Sequence, residues 1–236
     1  MTTILRAQAL LFDMDGTLVD STAAVRRTWW RFASRHGLDG DEILAAAQGR
    51  RTIETVAMFA PSGTDVDAET AWLVSQDETD TDGVTAVPGA RELLAALPSH
   101  RWALVTSAGR ALAAGRMAAA GLPLPPVVVS ADDVEHGKPH PEGYRAAAHA
   151  LAVSTRSSVV FEDTEAGLRA AHAAGALPVA VGDHDAPTVH GPHRIPDLSL
   201  VGVEDLGEDG LRLRLPASSA HSTAPPAMPV PTEGTS

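Results

Sequence analysis

The sequence predicts an α/β protein with a doubly wound parallel sheet and an inserted α-helical unit. The first observation behind this prediction is that short, unbroken apolar runs alternate with Ala-rich helical stretches along most of the chain. Unbroken apolar runs are typical of strands in a parallel sheet that helices cover on both faces. The second observation is that one segment, from about Asp20 to Ala86, contains no such run and interrupts the alternation.

The apolar runs that we predict to be strands lie at residues 9–12, 102–105, 127–129, 158–161 and 178–181. Helical patterns fill the intervals between the later strands, at residues 90–97, 110–120, 144–151 and 165–174. Gly121 and Gly175 directly follow two of these helices, and glycine ends a helix there because it readily adopts the left-handed conformation. Repeated units of strand and helix predict a parallel sheet.

The interrupting segment has a helical pattern. Val25, Trp29 and Phe32 recur at the spacing of one helix face, and Ile43 and Val56 mark further apolar helical stretches. We therefore predict a helical cap that leaves the chain after the first strand and returns to the sheet before the next one.

These patterns give a domain organisation. Residues 20–86 are the predicted cap, and residues 1–19 and 87–215 are the predicted Rossmann-like core. Residues 216–236 are rich in Pro, Ser, Thr and Ala. We predict a disordered tail there, because such a composition buries too little apolar surface to offset the entropy of ordering.

The composition excludes several classes of protein. The chain has 236 residues, and 18 Lys and Arg against 30 Asp and Glu give a formal charge of −12. This acidic balance argues against nucleic acid as a partner, because binding its phosphates requires clustered basic side chains. The absence of cysteine excludes disulfides, thiolate metal sites and a cysteine nucleophile. Since no apolar run approaches the ~18 residues of a membrane span, we expect a cytoplasmic protein that has no membrane partner and acts as a monomer.

Two aspartates follow the first predicted strand, at the edge of the sheet where parallel α/β folds bind their ligands. Asp13 and Asp15 are separated by one residue, so their side chains point the same way along an extended chain. One carboxylate can act as a nucleophile while the other transfers protons, and together they can hold a hard cation. Taken alone, the pair also fits an acidic turn after a strand.

Three further groups of polar residues follow later strands. Thr106 and Ser107 open a helix, where a hydroxyl and free backbone N–H groups can bind phosphate, although an ordinary helix cap also fits. Lys138 lies in a loop that a glycine and two prolines constrain, and it suits either a point-charge contact to phosphate or a turn at the surface. Glu162 and Asp163 end a strand and fit either Mg²⁺ ligation or helix capping.

Few protein families have these four groups in this order, each after a separate strand. On these motifs the chain resembles the haloacid dehalogenase-like hydrolase superfamily, in the branch with a helical cap after the first motif, over roughly residues 7–206. It is most similar to the sugar and polyol phosphatases of that branch, which act on hexitol, 2-deoxyglucose-6- and glycerol phosphates. The stretches that support this subgroup are residues 35–38, 49–52, 87–90, 102–107 and 137–142.

The resemblance implies a role for each matching position. Asp13 would be the nucleophile that forms an aspartyl-phosphate. Asp15 would protonate the leaving alkoxide and then activate water. Thr106 and Lys138 would bind the oxygens of the transferring phosphoryl group.

The resemblance also implies Mg²⁺ as the cofactor. Asp13, the backbone carbonyl of Asp15 and Asp163 would hold the ion, and Glu162 would act on it through water. A dehalogenase needs neither this metal nor a second aspartate at position 15, so the resemblance favours phosphate chemistry.

The cap is predicted to recognise the leaving group, because the core motifs contact only atoms that every phosphate monoester shares. Gly49, Arg50 and Arg51 are the predicted cap residues, and Ser107 and Arg110 are predicted substrate contacts at the start of a core helix. We expect a Mg²⁺-dependent phosphatase for a small phosphorylated sugar or polyol.

Two alternatives remain open. The first is a sugar phosphate mutase of the β-phosphoglucomutase type, which uses the same four motifs. The second is a catalytically silent sugar-phosphate-binding protein, which is disfavoured because Asp13, Asp15 and Lys138 are all present.

Overall fold

The computed structural model describes residues 2–182 and 193–216. Its strands are β1 (Thr2–Ala7), β2 (Ala9–Phe12), β3 (Val19–Asp20), β4 (Thr85–Ala86), β5 (Trp102–Val105), β6 (Val128–Val129), β7 (Ser158–Glu162), β8 (Leu177–Val181), β9 (His193–Ile195), β10 (Gly202–Asp205) and β11 (Leu211–Pro216). Its α-helices are α1 (Thr22–His36), α2 (Gly40–Ala47), α3 (Thr52–Phe59), α4 (Val66–Asp77), α5 (Ala90–Ala95), α6 (Arg110–Ala119), α7 (Glu142–Ala150) and α8 (Glu165–Ala174).

A six-stranded parallel sheet lies at the centre of the core, in the order β6-β5-β2-β7-β8-β9. The predicted α/β class is therefore confirmed, and each predicted strand is present to within one residue. Strand β2 lies between β5 and β7, so the residues that follow it are in the middle of the sheet's carboxyl edge.

Helices cover both faces of this sheet. Leu10 and Phe12 of β2 pack in one apolar cluster with residues of α5 and α6, and the ring of Phe12 stacks on that of Phe161 at 5.0 Å. Leu11 faces the other way and packs with alanines of α7 and α8. Successive residues of a strand point to opposite faces, which explains why the apolar run is continuous.

Helices α1 to α4 lie between β3 and β4 and share a separate apolar cluster. Trp29, Phe32, Ile43 and Leu73 are buried in it. The short strands β3 and β4 pair with each other where the chain leaves and re-enters the core. No strand was predicted in this segment, and that prediction is wrong at the two ends of the segment, because a two-residue strand leaves no pattern in the sequence.

A second sheet was not predicted. Strands β1, β11 and β10 form it in antiparallel pairing, which joins the amino-terminal strand to the last described strand. Pro216, with which the predicted tail begins, is the last residue of β11 and lies opposite Thr2. The remainder of the predicted tail, residues 217–236, lies outside the described residues.

The helices of the described ranges are all too short or too polar to cross a membrane. The monomeric state and the cytoplasmic location stay predictions from the sequence.

Candidate active site

The four predicted motifs meet at the carboxyl edge of the parallel sheet. Asp13 follows β2, Thr106 follows β5, Lys138 lies in the loop after β6, and Glu162 is the last residue of β7. The neighbouring order of these strands brings together residues that are up to about 150 positions apart in the chain.

A cavity of about 430 Å³ opens between this edge and the cap. Asp13, Asp15, Thr106 and Asp163 line it from the core. The cap contributes Gln48, Gly49, Arg50 and Asp77, and helix α6 contributes Arg116. One side of the cavity therefore carries the residues that are predicted to act on phosphate, and the other side carries both charged and uncharged residues of the cap.

Lys138 is buried between two carboxylates. Its side-chain nitrogen Nζ donates to Asp13 Oδ1 and, at 2.5 Å, to Glu162 Oε1. Burial opposes the charge of Lys138, but Asp13 and Glu162 outweigh it and raise the pKa of Lys138 above its usual value. The ammonium group is therefore present at neutral pH beside the predicted nucleophile.

Glu162 is fully buried, and among the described residues its carboxylate accepts hydrogen bonds from three side chains and one backbone N–H. Besides Lys138, Tyr144 donates to Oε1 at 3.1 Å, and the Thr164 backbone N–H and hydroxyl donate to Oε2 at 2.8 and 2.9 Å. The structure thus assigns Glu162 to holding Lys138 in place. The predicted contact of Glu162 to a metal through water stays a prediction.

Asp13 and Asp163 lie close together at the ends of adjacent strands. The ligand oxygens of Asp13, Asp163 and Glu162 are all within 4.8 Å of one another. Burial raises the pKa of Asp13 to about 7, despite the opposing effect of Lys138, and burial likewise raises that of Asp163. Two carboxylates held this close together repel each other and gain from a cation between them.

The residues around this pair fit Mg²⁺. Oxygen atoms are the ligands that this ion prefers, and both carboxylates border the cavity. Gly16 has a positive φ of 86°, and a Cβ there would overlap the Asp163 carboxylate. Glycine at position 16 therefore allows the carboxylate of Asp163 to approach the loop that carries Asp13 and Asp15.

Asp15 makes contacts that the sequence analysis did not foresee. Its Oδ1 accepts hydrogen bonds from Ser21 at 2.5 Å and from Arg116 at 2.8 Å. The guanidinium of Arg116 also forms two bonds with Asp77 at the end of α4. Arg116 was missed because it lies seven residues into the Ala-rich stretch of α6, where an arginine resembles an ordinary surface residue.

The two predicted phosphate-binding hydroxyls, those of Thr106 and Ser107, differ in their hydrogen bonds. Thr106 is buried beside the cavity, and its Oγ1 accepts from the Ala108 backbone N–H at 3.1 Å, which leaves the hydroxyl proton available. The Ser107 hydroxyl donates to the carbonyl of Gly49 at 2.8 Å. Ser107 therefore joins the core to the cap.

The predicted cap loop contacts the core at its glycine. Gly49 has a positive φ of 71°, and a Cβ at this position would lie 2.6 Å from Thr164 Oγ1. Arg50 lines the cavity, as predicted for a substrate contact. Arg51 does not line it, because its guanidinium pairs with Glu54 at 2.7 Å and donates to the carbonyl of Val134.

Arg110, a predicted substrate contact, lies outside the cavity lining in this structure. Its exposed guanidinium forms an ion pair with Asp133 at 2.7 Å, outside the cavity lining. The side chain of a residue at the start of a helix can turn away from the sheet edge, and spacing alone does not reveal its direction.

A comparison with protein families places residues 7–175 in the haloacid dehalogenase-like hydrolase family. The chain is 42% identical over 181 residues to hexitol phosphatase A of Escherichia coli, which covers 75% of this chain and 84% of that one. It is 30% identical over 234 residues to 2-deoxyglucose-6-phosphate phosphatase 1 of Saccharomyces cerevisiae, covering 89% and 95%. Among solved structures, a hydrolase from Pseudomonas syringae is 25% identical with a TM-score of 0.72, covering 81% and 94%.

Proposed function

This chain belongs to the haloacid dehalogenase-like hydrolase family, and we propose that it is a phosphatase for small sugar or polyol phosphates that works through an aspartyl-phosphate. One observation carries the proposal. Asp13, Asp15 and Asp163 line a single cavity beside the cap, and Lys138 donates a hydrogen bond to Asp13. The relatives named for hexitol and 2-deoxyglucose-6-phosphate support the substrate class.

The first chemical step forms a covalent intermediate. A carboxylate oxygen of Asp13 attacks phosphorus while the bond from phosphorus to the substrate oxygen breaks. Asp15 gives its proton to the departing alkoxide, so the alcohol leaves neutral. The free carboxylate of Asp15 then takes a proton from water, which attacks the phosphoryl group and releases inorganic phosphate and Asp13.

Charge repulsion is the main obstacle to this reaction, because a phosphate dianion must approach a carboxylate. The Lys138 ammonium, fixed by Glu162, offsets part of that repulsion and contacts the equatorial oxygens. Mg²⁺ held by Asp13, Asp163 and the carbonyl of Asp15 would supply further positive charge for the phosphoryl oxygens.

The lining of the cavity favours an uncharged leaving group. Apart from the catalytic carboxylates, the charged groups of the cavity are Arg50 from the cap, the Arg116–Asp77 pair between core and cap, and Glu165 from the core. An additional phosphate or carboxylate on the leaving group would meet little excess positive charge there. Hydroxyls can bond to both the acidic and the basic side chains, so we propose a neutral sugar or polyol.

A phosphate-release assay tests this function. We expect the purified protein with Mg²⁺ to hydrolyse hexitol, 2-deoxyhexose and glycerol phosphates much faster than phosphoglycolate or sugar bisphosphates. Conversion of a hexose phosphate to its isomer without release of phosphate would instead identify a mutase.

A substitution tests the covalent step. Asp13→Asn is nearly isosteric but removes the nucleophile, so we expect turnover to fall by at least a factor of about 10³ with an unchanged circular dichroism spectrum. Asp67→Asn, at an exposed position of α4, is the matched control and should retain full activity. Substantial activity in the Asp13 variant would exclude an aspartyl-phosphate at this position.

A further inference from the structure

Arg116 is a buried arginine that connects three parts of the molecule. It lies on core helix α6 and is 2% exposed. One guanidinium nitrogen, Nη1, donates to Asp15 after β2, and the other, Nη2, donates to both oxygens of Asp77 in the cap. The planar guanidinium holds these three hydrogen bonds in a fixed relative geometry, which a lysine could not provide.

The two carboxylate oxygens of Asp15 differ in the hydrogen bonds that they accept. Both hydrogen bonds to the side chain, from Arg116 and from Ser21, end on Oδ1. Within the described part of the chain, no hydrogen bond reaches Oδ2. The carboxylate is therefore anchored through one oxygen, and the other accepts no hydrogen bond from the described residues in a side chain that borders the cavity.

The cap end of the connection is equally constrained. Asp77 is buried, and besides Arg116 it accepts a hydrogen bond from the hydroxyl of Thr28 on α1 at 2.8 Å. The cap helices α1 and α4 thus fix the carboxylate of Asp77, and this carboxylate in turn fixes Arg116. If the cap moved away from the core, the Arg116–Asp77 bonds would have to break.

We infer that Arg116 is a positioning residue that aligns the Asp15 carboxylate for proton transfer when the cap lies on the core. This inference rests on the proposed function, in which Asp15 serves as the acid and base. The Arg116–Asp77 pair fixes the guanidinium, the guanidinium and Ser21 fix Oδ1, and Oδ2 is left to exchange the proton with the leaving oxygen or with water. A loosely held carboxylate would seldom adopt the geometry that proton transfer requires.

The leaving group provides a specific readout for this role. A sugar or polyol alkoxide is a poor leaving group and needs the proton from Asp15. The p-nitrophenolate ion leaves without one. The ratio of kcat/KM for a polyol phosphate to kcat/KM for p-nitrophenyl phosphate therefore reports acid catalysis in the first step, and a general loss of folding would not change it.

The experiment compares this ratio among purified full-length variants. We expect Arg116→Gln to lower the ratio by about tenfold or more, in the same direction as a reference Asp15→Asn variant, since positioned general acids contribute about 10²–10⁴-fold. Arg116→Lys keeps the charge but not the two-sided geometry, so its ratio should lie between those of the unmodified protein and Arg116→Gln. Arg116→Gln combined with Asp77→Asn should lower the ratio no further than Arg116→Gln alone, because Asp77 acts through Arg116.

A matched control uses another arginine–aspartate pair in the cap. Arg27 forms a bidentate pair with Asp80 away from the cavity, so Arg27→Gln should leave the ratio unchanged. The double Arg116/Asp77 variant also guards against misfolding, because it leaves no unpaired buried charge at this point.

Two results would overturn the inference. Equal losses on both substrates in the Arg116 variants would make Arg116 a purely structural residue. An unchanged ratio in Asp15→Asn would remove the acid role of Asp15 and, with it, the role of Arg116. A failure of the proposed function is distinct, since the unmodified protein would then release no phosphate from either substrate.

Discussion

Arg50 and Arg51 are adjacent in the cap loop but have different surroundings. Arg50 lines the cavity, whereas Arg51 pairs with Glu54 and with the carbonyl of Val134 in the core. The two side chains therefore have different expected roles, although the sequence gives no reason to separate them. Arg50 is the candidate contact to the leaving group, and Arg51 fastens the cap to the loop that precedes Lys138.

We expect Arg50→Ala to lower kcat/KM for the preferred sugar phosphate by about 10- to 150-fold, because a charge-assisted hydrogen bond contributes roughly 1.5–3 kcal/mol. Hydrolysis of p-nitrophenyl phosphate should fall much less, since this ester has no hydroxyls. Steady-state kinetics on both substrates measures the difference. Arg51→Ala is the comparison, and we expect it to affect both substrates alike. A substrate-selective loss in Arg51→Ala and none in Arg50→Ala would reverse the assignment.

At the scale of single elements, helix α8 limits the space around Glu162. Gly167 in the first turns of α8 faces the Glu162 carboxylate, and a Cβ at position 167 would overlap it. Glycine lowers the stability of a helix. Its presence here is explained by the close approach of α8 to the group that holds Lys138.

Gly167→Ala should displace Glu162 and, through it, Lys138. We expect a loss of about 1–3 kcal/mol in the free energy of unfolding, as for overpacked cores, together with a fall in kcat of at least about tenfold. Chemical denaturation and steady-state kinetics measure the two effects.

Gly115→Ala in α6 is the matched control for the change at Gly167. A Cβ at position 115 meets only the Glu78 carbonyl, at 4.0 Å. Alanine there should be neutral or stabilise the helix by up to about 1 kcal/mol. If the two alanine variants behaved alike, steric support of Glu162 by α8 would not matter for activity.

At the scale of the whole molecule, the sheet of β1, β11 and β10 joins the two ends of the described chain. Leu211, Leu213 and Leu215 of β11 are buried against the core. Removing residues 211–236 should lower Tm by more than about 10 °C or prevent folding, because each buried leucine contributes roughly 1.5–3 kcal/mol.

Removing only residues 217–236 is the control, since every described contact of β11 is kept. We expect this shorter deletion to change Tm by no more than about 2 °C and to leave activity intact. Thermal denaturation of the two truncated proteins gives the comparison. Equal melting temperatures would show that β11 adds little stability.

The raised pKa of Asp13 leads to a prediction about how metal binding and pH together affect the free energy of unfolding. The pKa of Asp13 is raised to about 7 in the folded protein from 3.8. Between these values the folded protein holds a proton that the unfolded chain has lost, so the free energy of unfolding of the metal-free protein falls as the pH rises through this window. A divalent cation binds the ionised carboxylates and stabilises the folded state by mass action.

We therefore expect Mg²⁺ to raise Tm more at about pH 8 than at about pH 5.5, where protons compete with the ion. Thermal shift measurements with and without Mg²⁺ at the two pH values test this expectation without any assay of activity. Asp163→Asn removes one proposed ligand and should abolish most of the shift. An equal shift at both pH values, or one retained in Asp163→Asn, would contradict the proposed metal site.

The sequence by itself determined the class of fold and the residues at the centre of the site. Continuous apolar runs depend only on local composition, and a strand buried on both faces requires them. Asp13, Asp15, Thr106 and Asp163 lie within three residues of the end of such a run, and Lys138 lies in the loop that follows another. The position of the strands therefore also located these side chains at one edge of the sheet. Helix α4 was not predicted as a separate helix, because its apolar residues, such as Trp72 and Leu73, do not lie along one helix face.

Only the tertiary structure decided the contacts between distant parts of the chain. The pairing of β1 with β11 joins residues more than 200 positions apart, and Arg116 reaches Asp15 across 101 positions. Spacing in a sequence gives the face on which a residue lies, but not the direction of a long side chain. Arg51 and Arg110 show this, because packing brings their guanidinium groups next to Glu54 and Asp133. Arg50, which is adjacent to Arg51 in the sequence, lines the cavity instead.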